Sequence, residues 1–312
     1  MTFEEALTIL DSPTETFDTL FSAAGALRLR YRGRTVNVQV ITSVKSGDCG
    51  EDCVYCAQSS TSEAEIPRFR IIGAKNLLKK SLDLAASKID RHCLGFSGLR
   101  YDDKEMATIC GRIAEIRSQC STPICCSIGL LTVDQIRALK EAGVGRINHN
   151  LNTSAKFYSK ICSTHDYGER LANLRRIKEG GLEICCGGIV GMGEEKADVV
   201  SMLFDIRELG PSSVPINFYV PVEGTTLAEQ GLPPLTPIYC LKVLALARLL
   251  MPRAEIRCSA GREKYLTDWG SYVFAAADSI FAEGYLTVGG QGLKKALDAI
   301  KAAGYEANLL LS

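Results

Sequence analysis

The chain alternates between strand-like and helix-like segments about eight times, and this alternation limits the folds open to it. The β-like segments are 36–41, 91–96, 122–128, 144–150, 182–190, 213–220, 254–259 and 272–281. Helical patterns run between them, without a sequence repeat or a glycine-rich linker. Alternating strands and helices predict an α/β fold with a parallel sheet. Eight such units favour a TIM-type (β/α)8 barrel over an open doubly wound sheet.

The length of 312 residues suits a single barrel, which needs about 250 residues. We expect one domain with a helical N-terminal extension over 1–32, a barrel core over 33–285 and a C-terminal helix over 286–312. Two helix starts carry clear signals. Thr132 and Gln135 form a capping box, and Thr236 precedes Pro237 at the first position of another helix.

Charge and hydropathy exclude two classes of partner. The 36 basic and 36 acidic residues give a net charge of +0, and the basic residues are spread along the chain, so no surface for nucleic acid is predicted. The N-terminus is acidic and lacks the order of a signal peptide, and Lys242 and Arg248 interrupt the most apolar stretch. We therefore expect a cytoplasmic protein that binds neither nucleic acid nor a membrane.

Three cysteines, Cys49, Cys53 and Cys56, follow the first predicted strand in a C-x3-C-x2-C run. Three thiolates can hold three irons of a 4Fe-4S cluster and leave the fourth iron open to a chelating small molecule. A structural zinc site normally recruits four ligands, and no histidine is suitably spaced to complete one here. The run therefore favours an iron-sulfur cluster over zinc.

The chain has 13 cysteines, and several others lie at the ends of predicted strands. These are Cys93, Cys125, Cys126, Cys185, Cys186 and Cys258. Because the C-terminal ends of barrel strands meet at one mouth, these thiols predict a second metal site there. The remaining cysteines are interpreted as buried small hydrophobes. They are Cys110, Cys120, Cys162 and Cys240.

The cysteine loop, with Tyr55 directly before its last cysteine, resembles the cluster loop of the radical S-adenosylmethionine enzymes. The resemblance implies that S-adenosylmethionine chelates the open iron through its amino and carboxylate groups. It also implies that one electron from the cluster cleaves this cofactor to methionine and a 5'-deoxyadenosyl radical. Tyr55 would then lie beside the adenine.

Further segments, in order along the chain, resemble the biotin synthase family within that superfamily. They are 148–154, 167–170, 186–194, 214–217 and 257–263. The resemblance implies a TIM-barrel homodimer that converts dethiobiotin to biotin, with one hydrogen abstraction for each of two carbon-sulfur bonds. It implies an auxiliary iron-sulfur cluster as the sulfur donor. A low-potential protein would supply the electrons.

The same resemblance assigns roles to individual residues. An auxiliary 2Fe-2S cluster would be held by Cys93, Cys125, Cys185 and Arg257. S-adenosylmethionine would be bound by Tyr55, Asn150, Asn152, Arg170 and Ile189, with Arg170 paired to the methionyl carboxylate. The substrate would be bound by Asn148, Asn150 and Asn217. No side chain is assigned a catalytic role beyond the clusters and the cofactor.

The chain departs from the family pattern at several positions. Cys126, Cys186 and Cys258 each follow a ligand position directly, which suggests an auxiliary site richer in thiolate that holds a four-iron cluster. Successive strand residues point to opposite faces, so Cys258 in place of Arg257 is the favoured extra ligand and the other two are less favoured. Asn152 replaces the usual aspartate that accepts from the ribose hydroxyls. His165 stands where arginine is frequent, and it is assigned no role.

Two other functions remain open at this point. The chain would keep the same barrel if it were a related radical enzyme that forms another thioether or rearranges a carbon skeleton. An iron-sulfur carrier is the alternative from a different class, and a carrier needs no site for S-adenosylmethionine.

Overall fold

The computed structural model describes residues 1–310. Its strands form a closed parallel barrel of eight positions, which confirms the predicted α/β fold. In barrel order they are β1 (Thr35–Lys45), β2 (Arg91–Phe96), β3 (Ile124–Ser127), β4 (Val144–Asn148), β5 (Glu183–Cys185) with β6 (Gly188–Val190), β7 (Ser213–Phe218), β8 (Glu255–Cys258) and β9 (Ser279–Ala282). The barrel closes because β1 pairs with both β2 and β9.

Helices surround the barrel. They are α1 (Phe3–Asp11), α2 (Phe17–Arg32), α3 (Ala74–Ala86), α4 (Asp103–Gln119), α5 (Val133–Glu141), α6 (Tyr167–Glu179), α7 (Lys196–Leu209), α8 (Thr226–Glu229), α9 (Pro237–Leu250), α10 (Arg262–Tyr265), α11 (Gly270–Ala276) and α12 (Leu293–Ala302). Short 3-10 turns cover Thr14–Thr16 and Tyr158–Lys160. The capping box at Thr132 and the N-cap at Thr236 are confirmed. Within residues 1–310, no helix has both the length and the apolar character needed to cross a membrane.

The strands β5 and β6 occupy one barrel position, and both pair with β7. The interruption falls at Cys186 and Gly187, where the backbone passes close to β7. A Cβ atom on Gly187 would overlap the carbonyl group of Pro215. Glycine is therefore required here because the two backbones approach closely.

The prediction of a strand over 272–281 is wrong in its first half. The structure has helix α11 there, and β9 begins only at Ser279. Tyr272 is typical of strands, but its ring packs 5.1 Å from the ring of Phe17 and 5.4 Å from that of Phe21, both in α2. This packing against α2 outweighs the weak preference of tyrosine for strands.

The predicted C-terminal helix over 286–312 is also corrected in extent. A hairpin of β10 (Gly284–Tyr285) and β11 (Val288–Gly289) precedes α12, and β12 (Glu306–Asn308) follows it. The strand β12 pairs in parallel with the start of β1. Gly304, at a φ of 79°, ends the helix and turns the chain towards that edge. Residues 311 and 312 of the predicted helix lie outside the described residues.

A buried ion pair joins the end of α9 to the start of β9. Asp278, 2% exposed, accepts hydrogen bonds from Arg248, from Nε of Arg32 at 2.6 Å and from the backbone N–H of Ile256 at 2.9 Å. Arg248 is fully buried. Because a buried cation without its partner is costly, we expect Asp278→Ala to lower the free energy of unfolding by about 3–5 kcal/mol.

Denaturant titration of the wild type and of Asp278→Ala checks this expectation. Asp83→Ala is the matched control, since Asp83 pairs with Lys79 at 2.8 Å but both side chains are exposed. An exposed pair contributes less than about 1 kcal/mol. Equal effects of the two substitutions would contradict the importance given to the buried pair.

Candidate functional site

The cysteine loop lies across the carboxyl ends of the barrel strands. Its three cysteines line a cavity together with Ser127 at the end of β3 and Asn148 at the end of β4. Cys53 is buried, whereas Cys49 and Cys56 are half-buried. Three thiols therefore face the mouth of the barrel, where parallel barrels place their functional residues.

A second segment, residues 158–165, holds this loop in place. The backbone N–H of Val54 donates to the carbonyl of Ile161 at 3.0 Å. The carboxylate of Asp52 accepts from the backbone N–H groups of Ser163 at 2.9 Å and Thr164 at 3.2 Å. Burial raises the pKa of Asp52, but hydrogen bonds led by those from Ser163 lower it well below its usual range. The carboxylate therefore stays ionised and anchors the loop.

Arg170, in α6, connects this segment to the end of β4. Its guanidinium donates to the hydroxyl of Tyr158, to the carbonyl of Asn150 at 2.9 Å and to Nε2 of His165 at 2.9 Å. Because arginine only donates, Nε2 of His165 accepts and Nδ1 carries the proton, which it shares with Glu51 at 2.7 Å. These bonds use three of the five guanidinium N–H groups and leave two for a ligand.

Three asparagines follow one another at alternate positions at the end of β4. The amide of Asn148 donates to the hydroxyl of Ser127 at 3.3 Å, while its Oδ1 is buried without a hydrogen-bond partner among the described residues. Oδ1 of Asn150 accepts from the N–H of Gly187 at 3.1 Å. Asn152 has a left-handed backbone with φ of 71°, and its amide donates to the hydroxyl of Tyr55 at 2.7 Å.

A second cavity lies beside the first, and the two share Tyr55, Cys56, Asn148 and Asn150 in their walls. Asn217 lines only the second cavity, between Ile189 of β6 and Ser259 after β8. The amide of Asn217 donates to the carbonyl of Gly188 at 3.0 Å, and its Oδ1 accepts from Ala260 at 3.3 Å. The mouth therefore has two adjoining chambers, one beside the three cysteines and one nearer the other side of the barrel.

Deeper in the barrel, the structure brings together Cys93, Cys125, Cys185 and Arg257. Cys93 and Cys125 are register partners on β2 and β3, and both pack against Phe281. The guanidinium of Arg257 lies 3.6 Å from the sulfur of Cys185 and 4.7 Å from the centre of the Phe281 ring. All four of these side chains are at most 2% exposed.

Glu255 forms a buried ion pair with Arg257. Arg257 donates to the carboxylate of Glu255 and, at 2.9 Å, to the hydroxyl of Ser213. Arg146 lies 3.5 Å from the same carboxylate. Burial raises the pKa of Glu255, but the two arginines lower it well below its usual range. The carboxylate is therefore ionised and fixes the orientation of Arg257.

The three extra thiols lie on the other side of the barrel wall. Cys126, Cys186 and Cys258 belong to the outer core between strands and helices, whereas Cys93 and Cys125 belong to the interior cluster. Burial raises the pKa of Cys258 to about 12. The prediction that Cys258 replaces Arg257 is therefore corrected, because β8 alternates regularly and, of these two neighbours, Arg257 points inward and Cys258 outward.

Cys162 and His165 were missed by sequence reasoning. Cys162 was interpreted as an inert hydrophobe and His165 was given no role, yet their ligand atoms and the sulfur of Cys53 all lie within 4.8 Å of one another. The C-x2-H spacing of Cys162 and His165 was the available signal. By contrast, Cys240 is buried in the core as predicted, and Cys110 and Cys120 are half-buried against it.

This arrangement fits an iron-sulfur cluster that is completed by a small zwitterion. The loop offers three thiols, Arg170 retains two N–H groups for a carboxylate, and Asn148 retains a buried acceptor. Burial lowers the pKa of His149 to about 3, so this imidazole adds no positive charge to the mouth.

Comparison with known families defines the class of protein to which this chain belongs. A model of the radical SAM superfamily matches residues 43–206, more than half of the chain. The Biotin and Thiamin Synthesis associated domain matches residues 215–306. The chain belongs to the radical SAM superfamily, and this membership implies a 4Fe-4S cluster and S-adenosylmethionine.

Individual relatives identify the family within this superfamily. The biotin synthase of Rhodopirellula baltica is 38% identical over 306 residues, which cover 98% of this chain and 85% of the relative. That of Bacillus cytotoxicus is 39% identical, with 98% and 92% covered. The protein is a member of the biotin synthase family. The crystal structure of methylornithine synthase (PylB) shares its fold, with a TM-score of 0.85 at 18% identity and coverage of 98% of this chain and 94% of the other.

Proposed function

We propose that this protein converts dethiobiotin to biotin by radical insertion of sulfur. Membership of the biotin synthase family over almost the whole chain supports the reaction. The observation that carries the proposal is the pair of adjoining chambers above a buried set of three cysteines and one arginine. An iron-sulfur carrier would need neither chamber.

The first chamber would hold the cofactor. Cys49, Cys53 and Cys56 would ligate the 4Fe-4S cluster, which when bound supplies the electron that cleaves S-adenosylmethionine to methionine and a 5'-deoxyadenosyl radical. The two remaining N–H groups of Arg170 suit the methionyl carboxylate. Tyr55 would lie beside the adenine.

The strand ends would hold the rest of the cofactor. Asn150 and Asn152 follow β4 and would contact the ribose side of S-adenosylmethionine. The N–H of Ile189 donates to the carbonyl of Asn152 at 2.7 Å, so β6 and this segment form one backbone edge. That edge suits contact with the adenine.

The second chamber would hold dethiobiotin. Asn148 and Asn217 stand at the ends of β4 and β7 and offer amide groups to a ureido ring, with the free Oδ1 of Asn148 as an acceptor. Asn150 lines both chambers and would contact both ligands. The shared wall would place the substrate carbons next to the cofactor, and each carbon-sulfur bond requires one hydrogen abstraction.

The interior residues Cys93, Cys125, Cys185 and Arg257 would hold the auxiliary cluster that donates sulfur. We propose the 2Fe-2S form, since the outward positions of the extra thiols remove the reason to expect four irons. The role of Glu255 is to orient Arg257. Iron and sulfide analysis after anaerobic reconstitution checks the assignment. About six irons per chain fit a 4Fe-4S and a 2Fe-2S cluster, and about eight contradict it.

We also propose that the protein works as a homodimer in the cytoplasm with a low-potential protein as electron donor. The family resemblance supports the dimer and the donor. The 13 cysteines, all free among residues 1–310, suit a reducing compartment. Light scattering of the reconstituted protein should give twice the chain mass.

An anaerobic turnover assay with dethiobiotin, S-adenosylmethionine and a low-potential donor tests the proposed reaction. We expect biotin and 5'-deoxyadenosine. Accumulation of 5'-deoxyadenosine without biotin would favour a related radical enzyme with another substrate. Absence of cofactor cleavage by a fully loaded protein would favour a carrier.

Asn152→Asp should strengthen the binding of S-adenosylmethionine. A carboxylate adds one acceptor and a charge where ribose hydroxyls are expected. It loses the N–H that Asn152 donates to the Tyr55 hydroxyl, but it can accept a hydrogen bond from that hydroxyl instead. Charged hydrogen bonds are stronger than neutral ones by about 1 kcal/mol, so we expect roughly fivefold tighter binding. Aspartate also tolerates the left-handed backbone at this position.

Equilibrium dialysis with the cluster-loaded variants measures this change. Asn217→Asp serves as the control, because Asn217 lines only the second chamber and should leave cofactor affinity unchanged. Weaker binding of S-adenosylmethionine by Asn152→Asp would show that the ribose does not bind beside residue 152.

A further inference from the structure

We propose that Cys53 and Cys162 form a reversible disulfide in the cluster-free protein, so that a cluster ligand is masked when the chain is oxidised. The disulfide itself depends only on the geometry of the two cysteines. Its effect on cluster loading rests on the proposed role of Cys53 as an iron ligand.

The two backbones around these cysteines run side by side in opposite directions. Val54 bonds to Ile161 on one side of the pair, and Asp52 bonds to the backbone of Ser163 on the other. These flanking contacts bring Cys53 opposite Cys162. Residues opposite each other in antiparallel segments have Cα atoms about 4.5–5.5 Å apart, within the range that a disulfide spans.

The sulfur atoms are already close. They lie within 4.8 Å of each other, and both side chains are buried. Rotation of the side chains can close the remaining gap to a bond of about 2.05 Å. The bonds that hold the loop need not break, because Val54 donates to a backbone carbonyl and Asp52 accepts from the backbone N–H groups of Ser163 and Thr164.

The surroundings of Cys162 are polar, unlike those of an ordinary core cysteine. Its sulfur lies 3.2 Å from Nδ1 of His165, 3.2 Å from Oδ1 of Asp52 and 3.5 Å from the hydroxyl of Thr164. The thiol donates to the Asp52 carboxylate, and the protonated Nδ1 of His165 can donate to the sulfur. Cys240, by comparison, is surrounded by the apolar core.

The chemistry balances with a two-electron oxidant such as a peroxide. Each thiol loses one hydrogen and one sulfur-sulfur bond forms, while the peroxide is reduced to water. A dithiol reductant reverses the reaction by thiol-disulfide exchange. While the bond exists, Cys53 can neither bind iron nor proceed to irreversible sulfinic acid.

Diamide oxidation of the full-length, iron-stripped protein tests the proposal. After remaining thiols are blocked with iodoacetamide, mass spectrometry of the digest should show Cys53 linked to Cys162, and dithiothreitol should remove the link. Cys162→Ser should lose this link, while Cys240→Ser should retain it. Serine keeps the hydrogen bonds of Cys162, so the variant is expected to fold.

Two results would overturn the proposal. One is a link of Cys53 to Cys49 or Cys56 in a yield that Cys162→Ser does not change. The other is full alkylation of Cys162 after oxidation. Both are read from the iron-stripped protein, so they are independent of whether the loaded enzyme makes biotin.

Discussion

Replacement of Cys53 by serine is expected to abolish formation of both 5'-deoxyadenosine and biotin. Cys53 is the buried member of the cysteine loop, and its loss leaves two thiols for a cluster that uses three. Even residues that only support metal ligands cost about 10- to 100-fold when changed, so loss of a ligand should exceed about 100-fold. Cofactor cleavage and product should be measured together, anaerobically and with excess reductant.

Cys240→Ser is the matched control for this substitution. Cys240 is fully buried in α9, away from the mouth, and its variant should retain cleavage if it folds. The absorbance of the reconstituted cluster gives a second readout. A Cys53→Ser protein that still assembles a normal 4Fe-4S cluster would remove Cys53 from the ligand set.

Cys125→Ala should separate cleavage of S-adenosylmethionine from insertion of sulfur. Cys125 lies in the barrel interior beside Cys93, and its loss should prevent assembly of the auxiliary cluster. The cysteine loop is untouched, so 5'-deoxyadenosine should still form while biotin falls below detection. Iron should decrease from about six to about four per chain.

Cys126→Ala provides a control at the adjacent position. Its sulfur lies in the outer core, so the variant should keep its iron content and its product. Removal of one buried sulfur atom should cost only about 1 kcal/mol of stability. If Cys126→Ala lost iron and Cys125→Ala did not, Cys126 rather than Cys125 would be the ligand of the auxiliary cluster.

The barrel and its order of strands were predictable because the pattern of strands and helices is regular. β2 was predicted with its observed bounds, Arg91–Phe96, since the run that contains Cys93, Leu94 and Phe96 lies between clear helices. Tyr272 was misjudged because its contacts with Phe17 and Phe21 join segments that are remote in sequence. Local preference carries no information about such contacts.

The candidate site was predictable only where its residues form a local pattern in the sequence. A compact spacing identified the cysteine loop. The strand ends indicated six further cysteines, and the family resemblance selected the interior residues Cys93, Cys125, Cys185 and Arg257. The positions of Cys162, His165 and Glu255 depend on loops and neighbouring strands that meet only in the folded chain. Glu255 in particular acts through Arg257, two residues later on the same face of β8, and nothing in the sequence distinguishes it from a surface carboxylate.

The doubled cysteines also bear on how errors in strand register would affect the chain. A slip by one residue normally exchanges the two faces of a strand. At β3 and β5, a slip that turns the following residue inward would replace Cys125 by Cys126 and Cys185 by Cys186, so a thiol would still face the interior. At β8, it would present Cys258 in place of Arg257. After a slip in this direction, the proposed auxiliary site would keep a sulfur ligand at each of these positions, whereas a strand with a single cysteine would lose its ligand.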